Sequence, residues 1–508
     1  MSDEDVAALL DSDQPLVVIE APAGCGKTYQ GSCYASRAVS SLVNGRVLIL
    51  THTHAACGVF AKATAGKHRQ VEIRTIDSLI VQIAAAYHRS LDLPPDPYDW
   101  ARKTGEGIPG LASRVAALLE HRPMIGEALA NRYPIVIGDE HQDSSAEQDA
   151  VVMSLHKAGA ILRIFGDPMQ RIYGGANRAA AAADRARWEQ LKANGAFMEL
   201  ETPHRWRDGS VELGHWVLEA RKALGDGKSI DLTGRLPAGL QVIVANNLAR
   251  TRTGYQLSTA DRRPIDQFVN SREDLLVLTG QNETVNSLAA FWSRRLPIWE
   301  GHTRDALEDL IDTINAHVGD ARLVSQAAVA FLGNVAVGFS PSSHGDRLVR
   351  EVANGCSGPA HGKPALLQEL GCYILNEPNH VGVAKCLVRL DELICDRVAG
   401  FEGIKIDHRR ECRDAIRLKD FADPVVGLAE INRRRSFARP MPPARAISTI
   451  HKAKGLECDN AIVLPCDQQT FSSSEYARCK LYVAMSRAKR SLTLVLSSNN
   501  PSPLLQLR

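Results

Sequence analysis

The sequence has little net charge and lacks the marks of a secreted or membrane-spanning protein. Its 60 basic residues nearly balance 58 acidic ones, and the net charge of +2 excludes a globally basic binder of the histone type. The N-terminus is acidic and has no apolar signal core. The longest apolar stretch, Ala327 to Phe339, contains Asn334 and is shorter than the roughly 18 residues of a bilayer span. We therefore expect a cytoplasmic protein that does not enter a membrane.

The 11 cysteines include no CxxC pair. The closest cluster has spacings that fit no common zinc or iron–sulfur pattern; it consists of Cys372, Cys386, Cys395 and Cys412. This absence argues against a cysteine metal site and favours reduced thiols.

Short runs rich in Val, Ile and Leu, each bounded by Gly, Asp or Thr, predict buried parallel strands. They lie at Leu16 to Ile19, Arg46 to Leu50, Ile135 to Ile137, Ile161 to Phe165 and Leu275 to Leu278. Helical patterns separate most of them, which indicates doubly wound α/β lobes with ligands at the carboxyl ends of the strands. Residues from about 300 to 440 are instead mostly helical in pattern, and a smaller insertion is expected near 80 to 130.

A phosphate-binding loop is the first chemical motif along the chain. The run LVVIEAPAGCGKT places an apolar strand before the pattern Ala21-x4-Gly26-Lys27-Thr28, and a helical segment follows. Loop amides can cradle phosphate oxygens, Lys27 can reach the β and γ phosphates, and the Thr28 hydroxyl can ligate Mg²⁺. A glycine-rich turn without a ligand is the alternative, and the flanking strand and helix disfavour it.

A pair of carboxylates follows a second apolar strand in YPIVIGDEHQD. Asp139 would hold Mg²⁺, and Glu140 would orient and deprotonate the attacking water. Such a pair in isolation could instead be a solvated cap at a helix start. The phosphate loop upstream favours nucleotide hydrolysis.

DEHQD and the downstream GDPMQRIY resemble motifs II and III of the UvrD/Rep/PcrA-like superfamily 1 DNA helicases. Other segments resemble the remaining motifs of that family in the same order: LILTHTHAA, TIDSL, LETPHRWR, STIHKAKGLE and LYVAMSRAK. The resemblance implies an α/β fold of two RecA-like P-loop NTPase lobes with mostly helical inserted subdomains. We place the first lobe at 1–80 and 130–205, a small insertion at 81–129, the second lobe at 206–300 and 441–508, and a helical insertion at 301–440.

The resemblance also implies ATP and Mg²⁺ as cofactors. The resemblance assigns Gln170 and Arg205 as γ-phosphate sensors, and Arg487 as an arginine finger from the second lobe. The catalytic set that it implies is Lys27, Asp139, Glu140, Gln170, Arg205 and Arg487. The implied nucleotide contacts are Ala23, Gly24, Cys25, Gly26, Lys27, Thr28, Tyr29, His204 and the ribose contact Glu457, with Thr28 and Asp139 on the metal.

By the same similarity, single-stranded or tailed DNA is the expected partner, and 3′ to 5′ movement is the family's polarity. Hydroxyls can bind phosphates and flat rings can stack on bases. The implied DNA-binding residues are Thr51, His52, Thr53, His54, Thr75, Tyr173, Thr449 and His451.

The sequence departs from the family pattern at several aromatic positions. Family members usually carry an aromatic residue where this chain has His52, a histidine where it has Asp77, and a tyrosine where it has His204. They also place a tryptophan or phenylalanine just after motif III, where this chain reads GGANRA. These changes weaken base stacking and leave phosphate tracking intact.

Two narrower identities stay open. Only 18 residues follow Arg490, so we expect any nuclease to be a separate chain. Short proteins of this kind resemble the helicase-like subunit of Gabija anti-phage systems, which act with an OLD-family nuclease; chromosomal DNA repair is the alternative role.

A DNA-sensing ATPase that controls a partner nuclease with little unwinding is the main rival to a helicase. An ATPase acting only on protein would leave the DNA-binding residues unexplained.

Overall fold

The computed structural model describes residues 2–52, 54–66, 70–173, 178–246, 250–251, 254–255, 257–293, 295–299, 305–437 and 443–507. The chain forms two compact units. One comprises Met1–Leu296 with Pro442–Arg508, and the other is Pro297–Met441. Within the described ranges, no helix is both long and apolar enough to cross a membrane.

The first sheet of the larger unit has six parallel strands in the order β3-β2-β4-β5-β1-β6. The strands are β1 (Leu16–Glu20), β2 (Val47–Thr51), β3 (Val71–Thr75), β4 (Ile135–Gly138), β5 (Ile161–Gly166) and β6 (Ala196–Glu199). Side chains alternate between two separate cores: Val17 and Ile19 pack on one face, and Leu16 and Val18 on the other. Burial of both faces explains why the central strands are almost continuously apolar.

Nine helices of the described residues accompany this sheet. They are α1 (Asp3–Leu10), α2 (Lys27–Ser41), α3 (His54–Ala63), α4 (Ile76–Ala86), α5 (Pro97–Thr104), α6 (Gly107–His121), α7 (Pro123–Arg132), α8 (Ala146–Lys157) and α9 (Arg178–Asn194). Four short 3₁₀ turns join them to the strands: His88–Leu91, His141–Asp143, Pro168–Gln170 and His204–Trp206. The helices of the predicted small insertion share a core with the sheet, since Leu111 and Val115 belong to the same cluster as Val18.

The chain then enters the second half of the larger unit. Its elements are α10 (Val211–Gly225), β7 (Ile230–Asp231), β8 (Leu240–Ala245), β9 (Arg250–Thr251), β10 (Gly254–Tyr255), α11 (Thr259–Asn270), β11 (Leu275–Thr279) and α12 (Asn282–Phe291). Strands β9 and β10 pair as an antiparallel ribbon.

The smaller unit is mostly helical and has its own apolar core. Its elements are α13 (Asp305–Ala316), α14 (Ala321–Val335), β12 (Ala336–Val337), α15 (Asp346–Ala353), α16 (Lys363–Asn376), α17 (His380–Cys395), β13 (Lys405–Ile406), α18 (Arg409–Arg417) and α19 (Pro424–Phe437), with a π turn at Pro341–Gly345 and a 3₁₀ turn at Leu418–Asp420. Leu370, Ile374 and Phe401 are 0% exposed within this core.

The last segment returns to the larger unit with β14 (Arg445–Thr449), β15 (Cys458–Cys466), α20 (Glu475–Met485), β16 (Ala488–Ser497) and β17 (Leu505–Gln506). A second parallel sheet results, of five strands in the order β14-β11-β15-β16-β8. The short strands β7 and β17 pair in parallel beside it.

The predicted fold class is confirmed, because two parallel sheets with many helices form the described chain. All five runs predicted as strands are strands, and they correspond to β1, β2, β4, β5 and β11. The helix predicted after the phosphate loop is α2. The domain limits drawn from the sequence stay a prediction.

Candidate functional site

The phosphate loop lies between β1 and α2, where two glycines adopt left-handed conformations. Gly24 has a φ of +79°, and a Cβ there would lie 2.6 Å from the Cβ of Arg205. Gly26 has a φ of +87° and precedes α2 without a side-chain cap. The first N–H groups of α2 therefore face no capping side chain, which is the arrangement that binds phosphate.

Lys27 begins α2 and points to the two carboxylates at the end of β4. Its Nζ lies 3.5 Å from Asp139 Oδ1 and pairs more closely with Glu140. Burial acts to lower the pKa of Lys27, but Asp139 and Glu140 outweigh burial and raise it. The carboxylates thus hold the cation that is predicted to bind phosphates.

The two carboxylates differ in environment, as the sequence predicts for two roles. Burial raises the pKa of Asp139 to about 6, against the opposing effect of Lys27. Burial also acts to raise the pKa of Glu140, but Lys27 and Lys454 outweigh it and hold that pKa below its ordinary range. Glu140 sits at a φ of 54° and accepts a 2.6 Å hydrogen bond from Gln142 Nε2. A strained residue held by a neighbour suits a group that must aim at one water molecule.

The residues at the end of β4 fit a magnesium ion. Asp139 is 4% exposed, and its Oδ1 accepts no hydrogen bond. Thr28, beside Lys27, would supply a second hard oxygen ligand of the type Mg²⁺ prefers. Across the described residues, no cluster of three or more His, Cys, Asp or Glu side chains could hold a metal. A site with few protein ligands matches the way Mg²⁺ binds beside substrate phosphates.

Gln170 ends the 3₁₀ turn after β5 and is 5% exposed. Its Nε2 donates to Asp167 Oδ2 at 3.0 Å, and Asp167 also accepts from the amide of Met169 at 3.1 Å. The buried Arg221 of α10 donates to the other oxygen of Asp167 at 3.0 Å. Asp167 therefore fixes the turn that carries the predicted γ-phosphate sensor.

Arg205 joins the phosphate loop to the second sheet. Its amide donates to Gly24 at 3.0 Å, while its guanidinium donates to the carbonyl of Ser486 at 2.7 Å and to Glu457 Oε1 at 2.9 Å. The neighbouring Trp206 donates its indole N–H to the carbonyl of Ala488 at 2.7 Å. Arg205 and Glu457, assigned separately to phosphate and ribose, are ion-paired here.

Arg487, the predicted arginine finger, is 1% exposed. Its guanidinium donates to the carbonyls of Val483 and Leu456 at 2.8 and 3.1 Å and to Ser486 Oγ at 2.6 Å. Burial, with the positive charge of Arg205 nearby, lowers the pKa of Arg487 to about 10. Arg487 is thus held by α20, by the residue after that helix and by the loop before β15.

His204 lies over the phosphate loop, since a Cβ on Gly26 would be 3.1 Å from its ring. Its Nε2 is 2.5 Å from Asp3 Oδ2, and its Nδ1 is 2.8 Å from Arg207 Nη2. Asp3 was not predicted from the sequence. The other predicted nucleotide contacts divide by exposure: Ala23 and Cys25 are buried, whereas Tyr29 is 69% exposed.

Two further residues of the second half contact the site, and sequence reasoning missed both. The amide of Ala23 donates to the Tyr482 hydroxyl at 2.8 Å. Lys454 Nζ lies 2.5 Å from Asp143 Oδ2 and donates to the carbonyl of Gln170 at 2.8 Å. Both lie inside recognised motifs, LYVAMSRAK and STIHKAKGLE, and that position is the signal that could have found them.

The predicted DNA-binding residues of the first sheet are engaged in local contacts. Thr51 Oγ1 is 3.1 Å from Cys57 Sγ, His52 Nε2 is 3.0 Å from Ser144 Oγ, and Thr75 caps α4. Thr53 lies outside the described residues, as does the side chain of His54.

The remaining DNA-binding candidates gather near Lys454. Tyr173 is 47% exposed, and Lys454 Nζ is 4.7 Å from its ring centre. Thr449 Oγ1 accepts from the amide of Lys452 at 3.3 Å, and His451 Nε2 is 2.6 Å from the Tyr476 hydroxyl.

The larger unit contains a P-loop nucleotide-binding lobe and, in contact with it, a second parallel sheet that carries arginines. Together these two parts define an NTPase of two RecA-like lobes. Residues 5–176 match the family model of an AAA domain, and residues 445–495 match that of a UvrD-like helicase C-terminal domain. A search of curated proteins finds no match. The two matches are similarities to parts of the chain, and they support ATP use and a helicase-type function.

Proposed function

We propose that this chain is an ATP-dependent DNA translocase or helicase that moves 3′ to 5′ on single-stranded DNA. The observation that carries the proposal is the set of direct contacts between the nucleotide site and the second sheet. Tyr482 accepts the amide of Ala23, Arg205 bonds the carbonyl of Ser486, and Lys454 pairs with Asp143. A conformational change of the phosphate loop therefore acts directly on α20 and on the turn after β14 through these contacts.

ATP with Mg²⁺ supplies the phosphoryl group and the charge that these residues handle. Lys27 exchanges the carboxylates of Asp139 and Glu140 for phosphate oxygens, which releases Glu140 to orient water. Arg205 leaves Glu457, and Arg487 leaves its backbone carbonyls. Both guanidinium groups then stabilise the negative charge that develops on the transferred phosphoryl group. Because the exchange at Arg205 breaks its contacts with Glu457 and Ser486 in the second half of the chain, hydrolysis is coupled to movement of that half along DNA.

Steady-state ATP hydrolysis, with and without single-stranded DNA, tests this function. We expect DNA to raise the rate, and Lys27→Ala or Arg487→Ala to lower it roughly a hundred- to a thousandfold. Arg490→Ala is the matched control for Arg487, because Arg490 is exposed and pairs only with Asp459 among described carboxylates. An unchanged rate on adding DNA would reject a DNA-driven motor in the isolated chain.

A second candidate is a DNA-sensing ATPase that controls a separate nuclease, as an OLD-family subunit would be in a Gabija-like anti-phage system. The buried state of Arg487 favours it, since a finger held by α20 and by the loop before β15 suits an ATPase that waits for a partner. Displacement of a strand from a duplex with a 3′ tail, compared with a 5′ tail, separates the two. A motor displaces the strand from the 3′-tailed duplex, whereas a sensor hydrolyses ATP without displacement.

A further inference from the structure

Two of the described thiols, those of Cys356 and Cys372, lie side by side in the smaller, helical unit. The S–H of Cys356 donates a hydrogen bond to the sulfur of Cys372 on α16. Both side chains are partly exposed, whereas Cys386 and Cys412 of the same unit are buried. A partly exposed pair in contact is the arrangement in which one thiol can be oxidised and the other can then react with it.

The backbone holds Cys356 in this position. The residue follows the end of α15, where Gly355 and Cys356 both adopt left-handed conformations, with φ of 69° and 51°. The amide of Cys356 donates to the carbonyl of Glu351 at 2.8 Å, which fixes the turn. Glycine or asparagine usually occupies a left-handed position, and strained residues of other types cluster at functional sites. The backbone therefore singles out Cys356 among the cysteines of this unit.

The facing surface of α16 leaves room for the Cys356 sulfur. A Cβ on Gly371 would lie 3.2 Å from Cys356 Sγ, so a larger residue at 371 would crowd the thiol. Gln368 lies one helical turn before Cys372 and therefore on the same face of α16. Its Nε2 donates to the carbonyl of Gly358 at 2.8 Å, which ties the loop after Cys356 to the helix. The two sulfurs are thus brought together by contacts on both sides of the loop.

Cys356 is the thiol of the pair that keeps its proton. Burial, together with the neighbouring Cys372, raises the pKa of Cys356 to about 12. Since the thiolate is the form that attacks an oxidant, the reaction of this pair begins at Cys372. Cys356 is then the second thiol, which reacts with the oxidised one.

We propose that Cys356 and Cys372 are a modification site, at which hydrogen peroxide oxidises Cys372 first and a reversible disulfide follows. In the first step the peroxide O–O bond breaks, an S–O bond forms on Cys372, and water leaves. In the second step the sulfur of Cys356 attacks Cys372, the S–S bond forms and the S–O bond breaks. The hydroxyl leaves as water with the proton of Cys356, so the thiols have lost the two electrons that the peroxide gains.

The disulfide joins the loop after α15 to α16. It constrains the unfolded chain between the two cysteines, so the oxidised unit unfolds less readily than the reduced one. A small dithiol restores both thiols by exchange. The inference does not depend on the proposed function, because no residue assigned to the nucleotide site belongs to the smaller unit.

The test is mass spectrometry of the full chain after treatment with hydrogen peroxide, alkylation of the remaining thiols and digestion without reductant. We expect one linked pair of peptides, joined through Cys356 and Cys372, which dithiothreitol separates. Cys395→Ser removes an exposed thiol at the end of α17 and is the matched control, so it should leave the link unchanged.

Single variants test the order of the two steps. In Cys356→Ser the link is lost, and dimedone should label Cys372 as a sulfenic acid. In Cys372→Ser the link is also lost, but Cys356 should take up no dimedone because it keeps its proton. The opposite labelling would overturn the assigned order.

Three results with the wild type would overturn the proposal. If both thiols stay free for alkylation after peroxide, the pair is not an oxidation site. If both become sulfinic acids without a link, they react separately. If either of them links to Cys395 instead, the fold does not hold the two sulfurs together.

Discussion

At the scale of single residues, the structure shows groups held in states that differ from those they would need in turnover. Lys27 is paired with two carboxylates, Arg205 with Glu457, and Arg487 with backbone carbonyls. Carboxylates thus neutralise the charges of Lys27 and Arg205, whereas only neutral oxygens accept hydrogen bonds from Arg487. A bound nucleotide has to replace these partners, which makes its binding selective for a ligand with several phosphates.

His52 is a residue whose environment predicts a pH effect. Burial, followed by the charges of His141 and Lys454, lowers its pKa to about 3 from an ordinary value of 6.5. Between those values the unfolded chain binds a proton that the folded chain does not. Stability is therefore lost as the pH falls below 6.5.

We expect His52→Asn to remove this loss. Between pH 8 and pH 5, the variant should lose about 2 kcal/mol less stability than the wild type, measured by urea unfolding at each pH. His121→Asn, at an exposed position, is the control and should follow the wild type. Identical pH dependence of His52→Asn and the wild type would contradict the lowered pKa of His52.

Some of the residues that the sequence predicted for the nucleotide site lie shortly after strands. Lys27 and Asp139 each come within a few residues of a buried run, so the strand pattern locates them. Asp3, Tyr482 and Lys454 could not be found in this way. Their partners lie 201, 459 and 311 residues away along the chain, and only the packed fold brings them together.

At the scale of elements, Arg221 of α10 forms ion pairs with carboxylates at the carboxyl ends of three strands. Arg221 is 5% exposed and pairs with Glu20 at the end of β1, Asp167 after β5 and Glu199 of β6. The same Asp167 holds the Gln170 turn. Arg221 therefore links the start of the second half of the chain to the turn of Gln170, the predicted γ-phosphate sensor.

Replacing this cation tests the link. We expect Arg221→Met to lower the free energy of unfolding by about 3–5 kcal/mol, because three carboxylates lose a buried partner. Lys222→Met removes the adjacent lysine, which is 62% exposed, and should change stability by less than about 0.5 kcal/mol. Chemical denaturation of both variants measures the difference; equal stabilities would show that the carboxylates are satisfied without Arg221.

Burial of both faces made some strands predictable, although the largely buried strands β14, β15 and β16 were not among the predicted runs. Every residue of β2 and of β11 is buried, and the sequence pattern is correspondingly continuous. Strand β3, with the sequence VEIRT, was missed because Glu72 and Arg74 interrupt it at half-buried positions. These two side chains form an ion pair with each other, which lets charge occupy an edge strand.

At the scale of the whole molecule, the helical unit has a core separate from those beneath the first sheet. Leu370 is 0% exposed in that core, among residues that all lie between 307 and 431. Loss of packing there should accordingly stay within the unit.

We expect Leu370→Ala to lower the stability of the helical unit by about 2–5 kcal/mol. Amide hydrogen exchange should show faster opening across 305–437, with the protection of α2 and β4 unchanged. Val318→Ala, at a position 65% exposed, is the matched control and should leave both units unchanged. Equal loss of protection around Lys27 would contradict separate cores.

The hydrogen bond between Ala23 and Tyr482 has a consequence for affinity as well as for structure. If a nucleotide in the loop and DNA on the second sheet both shift this bond, each ligand changes the affinity of the other by the same factor. A coupling of about 1–3 kcal/mol would make that factor roughly 5 to 150. DNA that tightens ATP binding must then be held more tightly by the ATP-bound protein and released after hydrolysis, which is the asymmetry that a stepping cycle requires.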